Sequence, residues 1–448
     1  MSIARPLSGA GRRPGEARSG QRRPGARPKS PARATKTTLR RDRHQPDYAI
    51  LVAVVALAAT GILMVYSSSA MKAYQAQDDT FGIVGPQIQW ALLGLGAMVL
   101  MMRVDYRYLR LASIPAYAVA LVLLVLVLLP AMGPLQPKIV GGSARWLQLG
   151  PLPAIHPAEF AKLALIVYLA HWMSKRGTVI RGFWRGTVPF LVIAAPIVAL
   201  VFREPDLGTT TVITLTAFTM FFVAGANLAH VGAMVGFVVM GAVAAGLRGY
   251  QVERIQCFLD PSSDPLGKCF QTVQGLLALA LGGVLGAGLG ESRLAGGLFL
   301  PNASNDFIFA IIGEEFGLIG AGLVVGLFIV LGYAGVRTSL RAPDTFGALL
   351  AAGITAWLCL QAFINIAVVV ALVPVTGITL PFISAGGSSL IISFAAVGIL
   401  LSISREAVER GSWNDAPADR GRGHGRTHLP GTRRRTVAPN ASSLARRA

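Results

Sequence analysis

A carboxylate at the edge of an apolar run is the first place where this chain could do chemistry. Asp306 closes the polar, turn-rich stretch Leu300-Pro301-Asn302-Ala303-Ser304-Asn305, and the apolar run that begins at Phe307 is of membrane length. Carboxylates are costly where water meets lipid, so one placed there is a functional candidate. Asp306 could take a proton from a reacting hydroxyl. It could equally cap the first turn of the helix, where Asp suits the free amides and the dipole.

Other charges gather at the ends of apolar runs. Gly142-Ser143-Ala144-Arg145-Trp146-Leu147-Gln148-Leu149-Gly150 leads into Pro157-Ala158-Glu159-Phe160-Ala161-Lys162. Glu159 and Lys162 are spaced i,i+3, share a helix face and could pair. Arg203-Glu204-Pro205-Asp206-Leu207-Gly208-Thr209 puts three charges in a break between two apolar runs. Such a break is tolerated only where backbone is buried in protein or lines water. With Arg254, these residues would suit a substrate with a lipid tail and a polyanionic head. Arginine and lysine neutralise phosphate, and a separate carboxylate removes a proton. The plainer reading is a set of helix-packing ion pairs.

The elements that must position these residues are membrane helices. Of 448 residues, 53% are hydrophobic and 14% charged, and mean hydropathy is +0.57. That composition excludes a soluble globular domain and fits an all-α polytopic membrane protein. Ten spans are predicted, at 48–66, 84–102, 111–131, 158–173, 187–202, 208–224, 228–247, 307–335, 346–371 and 383–403. One large extracytoplasmic loop, 248–305, separates the seventh from the eighth, and within it Phe270 to Val284 reads as an interfacial helix. No internal repeat of the kind many transporters carry is visible.

Net charge is +20, with 41 Lys and Arg, of which 13 fall in residues 1–46 and 10 in residues 405–448. Both ends read as disordered basic tails around a membrane domain, 47–404. The short connections alternate in charge. Arg103, Arg107 and Arg110, then Lys175, Arg176, Arg181 and Arg185, then Arg337 and Arg341 lie on the face of the tails. This asymmetry predicts cytoplasmic termini and puts Asp306 outside. The tails would attract anionic lipid or acidic partners. Nucleic acid is the weaker reading, since no folded basic module accompanies them. Cys257 and Cys269 share the external loop, where a disulfide or two reduced thiols are both open.

Five motifs in order resemble one family: Gly142–Gly150 with Pro157–Lys162, Glu204–Thr209, Phe258-Leu259-Asp260-Pro261 through Gln274, Leu300–Glu315, and Pro374-Val375-Thr376-Gly377 through Ser389. They are similar to the SEDS family of cell-wall polymerases (FtsW, RodA, SpoVE), over about residues 48–404. Phe382-Ile383-Ser384-Ala385-Gly386-Gly387-Ser388-Ser389 is most like the division-type branch, FtsW, of actinobacteria. The chain departs from common members at six places. Asn302, Ser304 and Asn305 stand for Glu, His and Thr; Glu204 and His156 each replace Gln, and Phe270 a usual Tyr.

The resemblance implies a peptidoglycan glycosyltransferase that polymerises lipid II on the outer face of the cytoplasmic membrane, at the division septum. It implies Asp306 as the catalytic carboxylate and a class B penicillin-binding transpeptidase as partner. Arg145, Trp146, Glu159, Lys162, Arg203, Asp206 and Arg254 are the expected substrate-binding set. Departing pyrophosphate needs positive charge, from arginine and lysine or from a divalent ion, magnesium or manganese, held loosely by oxygen. No His/Cys metal motif is present, and no cofactor is otherwise expected. The rival readings are a lipid-linked precursor transporter, or flippase, and a non-catalytic division scaffold.

Overall fold

The computed structural model describes residues 45–76, 80–130, 135–140, 143–149, 153–246, 250–296, 300 and 303–406. The basic tails, 1–46 and 405–448, lie almost wholly outside them, as do Gly142, Gly150, Pro301 and Asn302. The chain is a helical bundle. Its elements in order are α1 (Tyr48–Ala76), α2 (Thr80–Arg103), α3 (Leu109–Leu128), β1 (Leu135–Val140), β2 (Ser143–Leu149), α4 (Pro157–Ser174), α5 (Val188–Arg203), α6 (Leu207–Val223), α7 (Leu228–Gly246), α8 (Tyr250–Leu259), α9 (Phe270–Gly282), α10 (Arg293–Gly296), α11 (Ile308–Arg341), α12 (Thr345–Val369) and α13 (Gly387–Ser404).

A helix stands at each stretch predicted as a span. Among the described residues, seven are long and apolar enough to cross a membrane: α1, α2, α3, α5, α11, α12 and α13. The chain is therefore a polytopic membrane protein. At the other three positions, α4 carries Glu159 and Lys162, α6 is 17 residues long, and the apolar part of α7 is Leu228–Phe237. The sequence reading missed α8, the short α10 and the β1–β2 hairpin. Its antiparallel register pairs Lys138 with Trp146 and irregularly shifts between Lys138 and Ile139.

The bundle is organised around α12. It packs against α11, α6 and α4, while α13 packs along α2. Trp357, Phe190, Phe221, Phe307 and Phe346 are fully buried in this interior. α3 turns Leu111, Ile114 and Val122 outward, as expected for side chains that meet lipid rather than water. On the face of the tails, carboxylates neutralise arginines. Asp344 lies 3.4 Å from Arg107 and 3.0 Å from Arg110, and Glu406 lies 2.8 Å from Arg107.

The large connection is built, not loose. Cys257 at the end of α8 and Cys269 before α9 form a disulfide, with Cα atoms 5.1 Å apart. The connection then inserts into α11. At Gly317, φ is +64°, and the helix breaks. Ala287 and Gly288 amides bond the carbonyls of Glu314 and Glu315, and the Leu318 amide bonds the Gly283 carbonyl at 2.9 Å. A Cβ on Gly317 would lie 2.4 Å from the Gly286 nitrogen, so only glycine allows this approach. Replacing both Cys257 and Cys269 by Ser should destabilise this loop by about 3 kcal/mol in the chain-entropy picture. Limited proteolysis under reducing and non-reducing conditions checks this. Equal cleavage rates for wild type and variant would remove the bridge as a stabilising element.

Candidate active site

Asp306 sits in the turn before α11, and Phe307 takes the N-cap position with no side-chain cap bond. Asp306 therefore is not the cap that its residue type allowed. The turn is instead pinned from α12 and the segment after it. Asn365 on α12 donates from Nδ2 to the Asp306 carbonyl at 2.8 Å and to the Ile378 carbonyl at 2.7 Å. Ser384 Oγ donates to the Asn305 carbonyl at 2.7 Å, and the Ala385 amide to the Ser304 carbonyl at 2.9 Å. The Asp306 carboxylate faces Gly377, where a Cβ would stand only 3.4 Å from Oδ2; with φ at +76°, Gly377 keeps that side open.

Three expected charges share an electrostatic neighbourhood with Asp306. Burial pushes its carboxyl up to about 6; Arg254 and Arg145 pull it down, and Asp206 pushes it up. Each guanidinium is fixed by backbone. Arg254 Nη1 donates to the Val375 carbonyl at 2.6 Å, and Arg145 Nη2 to the Pro205 carbonyl at 2.6 Å. The hairpin carries Arg145 and Trp146 to this place, tied by Leu147, whose amide bonds the Ile155 carbonyl at 2.9 Å. Trp146 stands edge-on to His156 at 5.2 Å. Asp206 caps α6 by accepting from the Thr209 amide at 2.9 Å, and its other oxygen lies 3.7 Å from His156 Nε2.

Two more expected residues lie on α4 and one at the end of α5. Glu159 and Lys162 do pair, at 2.9 Å, but both are buried, and Lys162 also donates to Gln361 at 2.8 Å. They brace α4 against α12, and their charges reach His156, which adjoins Asp206. Arg203 is exposed at the end of α5. Asn365, Gln361 and Ser384 were missed. Two amides four residues apart inside an apolar span were the available signal. Among the described residues no three His, Cys, Asp or Glu side chains group as metal ligands.

Beside His156 runs an apolar groove of about 290 Å³, walled by Trp90, Leu123, Phe160, Ile391 and Ile392. Glu204, next to Asp206, is 1% exposed and neither carboxylate oxygen has a hydrogen-bond partner. Burial, reinforced by Asp206 and opposed by Arg145, pushes it up to about 8 from 4.5. The folded state then holds a proton that the unfolded chain has lost, so stability falls as pH rises from about 4.5 to about 8 and levels off beyond. Glu204→Gln should flatten that slope and raise the melting temperature most at alkaline pH. An unchanged slope in thermal melts would mean that Glu204 is solvated or paired.

Seven helices long and apolar enough to cross a membrane, with a charged cluster at the turn before α11, define this chain as a polytopic membrane protein. It belongs to the FtsW/RodA/SpoVE family: the family profile, described as "Cell cycle protein", matches residues 48–409. The chain is 42% identical over 369 residues to "Stage V sporulation protein E" of Bacillus subtilis, covering 80% of this chain and 97% of that one. It is 36% identical to "Probable peptidoglycan glycosyltransferase FtsW" of Mycobacterium tuberculosis, covering 82% and 69%. Among solved structures it is similar to Thermus thermophilus "Rod shape determining protein RodA", with a TM-score of 0.60 and 26% identity over 81% of this chain and 98% of that one. A chain from "Structural coordination of polymerization and crosslinking by a peptidoglycan synthase complex" aligns with a TM-score of 0.65 and 29% identity, over 80% and 98%.

Proposed function

We propose that this chain is a peptidoglycan glycosyltransferase that polymerises lipid II during septal wall synthesis. The observation that carries the reading is Asp306: a half-buried carboxylate raised to about 6, in the electrostatic field of two guanidinium groups anchored by backbone carbonyls. The acceptor sugar 4-hydroxyl attacks the donor anomeric carbon. Asp306 takes the hydroxyl proton, the new glycosidic bond forms, and lipid pyrophosphate leaves. A base near that pKa is mostly ionised at neutral pH yet still basic enough to act. Arg145 and Arg254 balance the charge on the departing pyrophosphate, so a second carboxylic acid is not required. The apolar groove beside His156 suits the polyprenyl tail.

The charges cluster around one end of the bundle, which favours a polymerase over a carrier with polar groups along a path. A class B penicillin-binding transpeptidase is the expected partner, and the basic tails would hold anionic lipid or acidic division proteins by charge. The termini face the cytoplasm. Single cysteines at positions 20 and 430 should resist membrane-impermeant maleimide in intact cells, and one at position 264 should react. External labelling at either terminus would invert the topology. The deciding experiment supplies purified protein with lipid II, with and without the transpeptidase. Glycan strands on a gel are expected. Translocation of lipid II without strands would make the chain a flippase, and neither product would leave the scaffold reading.

A further inference from the structure

On the face of the tails, a second cavity of about 380 Å³ opens between α3 and α4, lined by Ile114, Tyr168, His171, Trp172, Lys175 and Arg176. No residue of the active-site cluster reaches it. Its chemistry changes along its length. The inner wall is aromatic and apolar: Tyr168 stacks on Tyr117 at 4.8 Å, and Tyr117 is fixed by its hydroxyl bond to the Ile193 carbonyl at 2.7 Å. Ile114 is 62% exposed and continues the outward apolar face of α3 that Leu111 begins. The mouth is cationic. Lys175 ends α4 and is exposed, and Arg176 follows with its guanidinium 5.1 Å over the Trp172 ring.

These two cations differ from Arg107 and Arg110. Arg107 and Arg110, on the same face, are met by Asp105, Asp344 and Glu406. Among the described residues, neither Lys175 nor Arg176 has an ion-pair partner. Two uncompensated positive groups at the mouth of an apolar, aromatic slot between membrane helices match one kind of ligand. We propose that this groove holds a single anionic phospholipid, with its headgroup phosphate on Lys175 and Arg176 and an acyl chain along Ile114. Basic pockets between membrane helices bind anionic headgroups in this way, and the aromatic shelf lies where Trp and Tyr settle, at the headgroup level. The leaflet is the cytoplasmic one if the Lys/Arg asymmetry is read as above; binding itself does not depend on that reading, nor on the polymerase activity.

Native mass spectrometry of the full chain, delipidated in detergent and titrated with dioleoyl phosphatidylglycerol or dioleoyl phosphatidylcholine, tests this. Wild type should retain one phosphatidylglycerol and no phosphatidylcholine. Lys175→Ala with Arg176→Ala should weaken retention by at least about fivefold, the scale of losing one or more basic side chains from a lipid contact. Ile114→Trp, which fills the slot without changing charge, should weaken it as well. Arg337→Ala with Arg341→Ala removes the same charge elsewhere on this face and should change nothing. Equal loss in that control would mean diffuse attraction to a basic surface and would overturn the site. Unchanged retention in both groove variants, or equal retention of phosphatidylcholine, would also overturn it. Stoichiometric displacement of phosphatidylglycerol by lipid II would reassign the groove to the substrate lipid. Lipid II polymerisation in detergent should be the same for wild type and groove variants.

Discussion

Asp306→Asn should reduce glycan polymerisation by ~10²-fold or more, the usual scale for losing a general base, while the protein still folds, inserts and binds its partner. The substitution keeps the size of the side chain. It also leaves the start of α11 unchanged, because that helix takes no side-chain cap from Asp306. Asp306→Glu should be impaired too, since one methylene moves the carboxylate by about 1 Å and such displacements can cost ~10²-fold. Wild-type activity should fall as pH drops through about 6, where the raised Asp306 carboxyl takes up its proton. Strand synthesis from purified lipid II is the readout. Near-normal synthesis by a well-folded Asp306→Asn protein would remove Asp306 from the mechanism and turn attention to Asp206.

Asn365→Leu should have the second-largest effect. Its amide bridges the Asp306 and Ile378 carbonyls from within α12, and the residue is 1% exposed. Leucine fills the space but leaves both carbonyls without that donor, at roughly 1–3 kcal/mol for each buried group left unsatisfied. The turn then loses its tether to α12, and polymerisation should fall by ~10²-fold through misplacement of the base. A purely structural role would lower the melting temperature alone. A positioning role also moves the acid limb of the pH–rate profile. As Asp306 loosens into water, that limb should shift from about 6 toward the ordinary carboxylate range. A profile with its acid limb unmoved would assign Asn365 to stability only.

Much of the scaffold was legible because a bilayer imposes length and apolarity on every crossing segment. A helix stands wherever a span was expected, and α9 begins at the predicted residue, Phe270. What escaped was set by partners distant in sequence. The β1–β2 hairpin sits in a connection whose residues alternate only briefly, and a separate bridge ties its Leu147 to Ile155. The i,i+3 spacing gave the Glu159–Lys162 pair but not its depth, because depth depends on Gln361 and Trp357 arriving from α12. In the same way Asp306 could be singled out by type and position, yet only the turn geometry shows that it does not cap α11. Asn365 was hidden by being a modest polar residue in a strongly apolar helix.

The insertion of the large connection into α11 has a practical side for anyone who would modify this protein. Residues 262–268 form the tip of the loop closed by Cys257 and Cys269, and Leu266 there is 87% exposed. An epitope or reporter spliced into that tip hangs from a covalently closed stalk and disturbs only hydrogen bonds local to α8 and the tip. Twenty residues further on the chain has no such tolerance. Between Gly283 and Gly288 the backbone shares its amides and carbonyls with both sides of the Gly317 break. A single added residue there would shift that register and pull the two halves of α11 apart. To the splicer, the same connection is permissive at its tip and closed at its root.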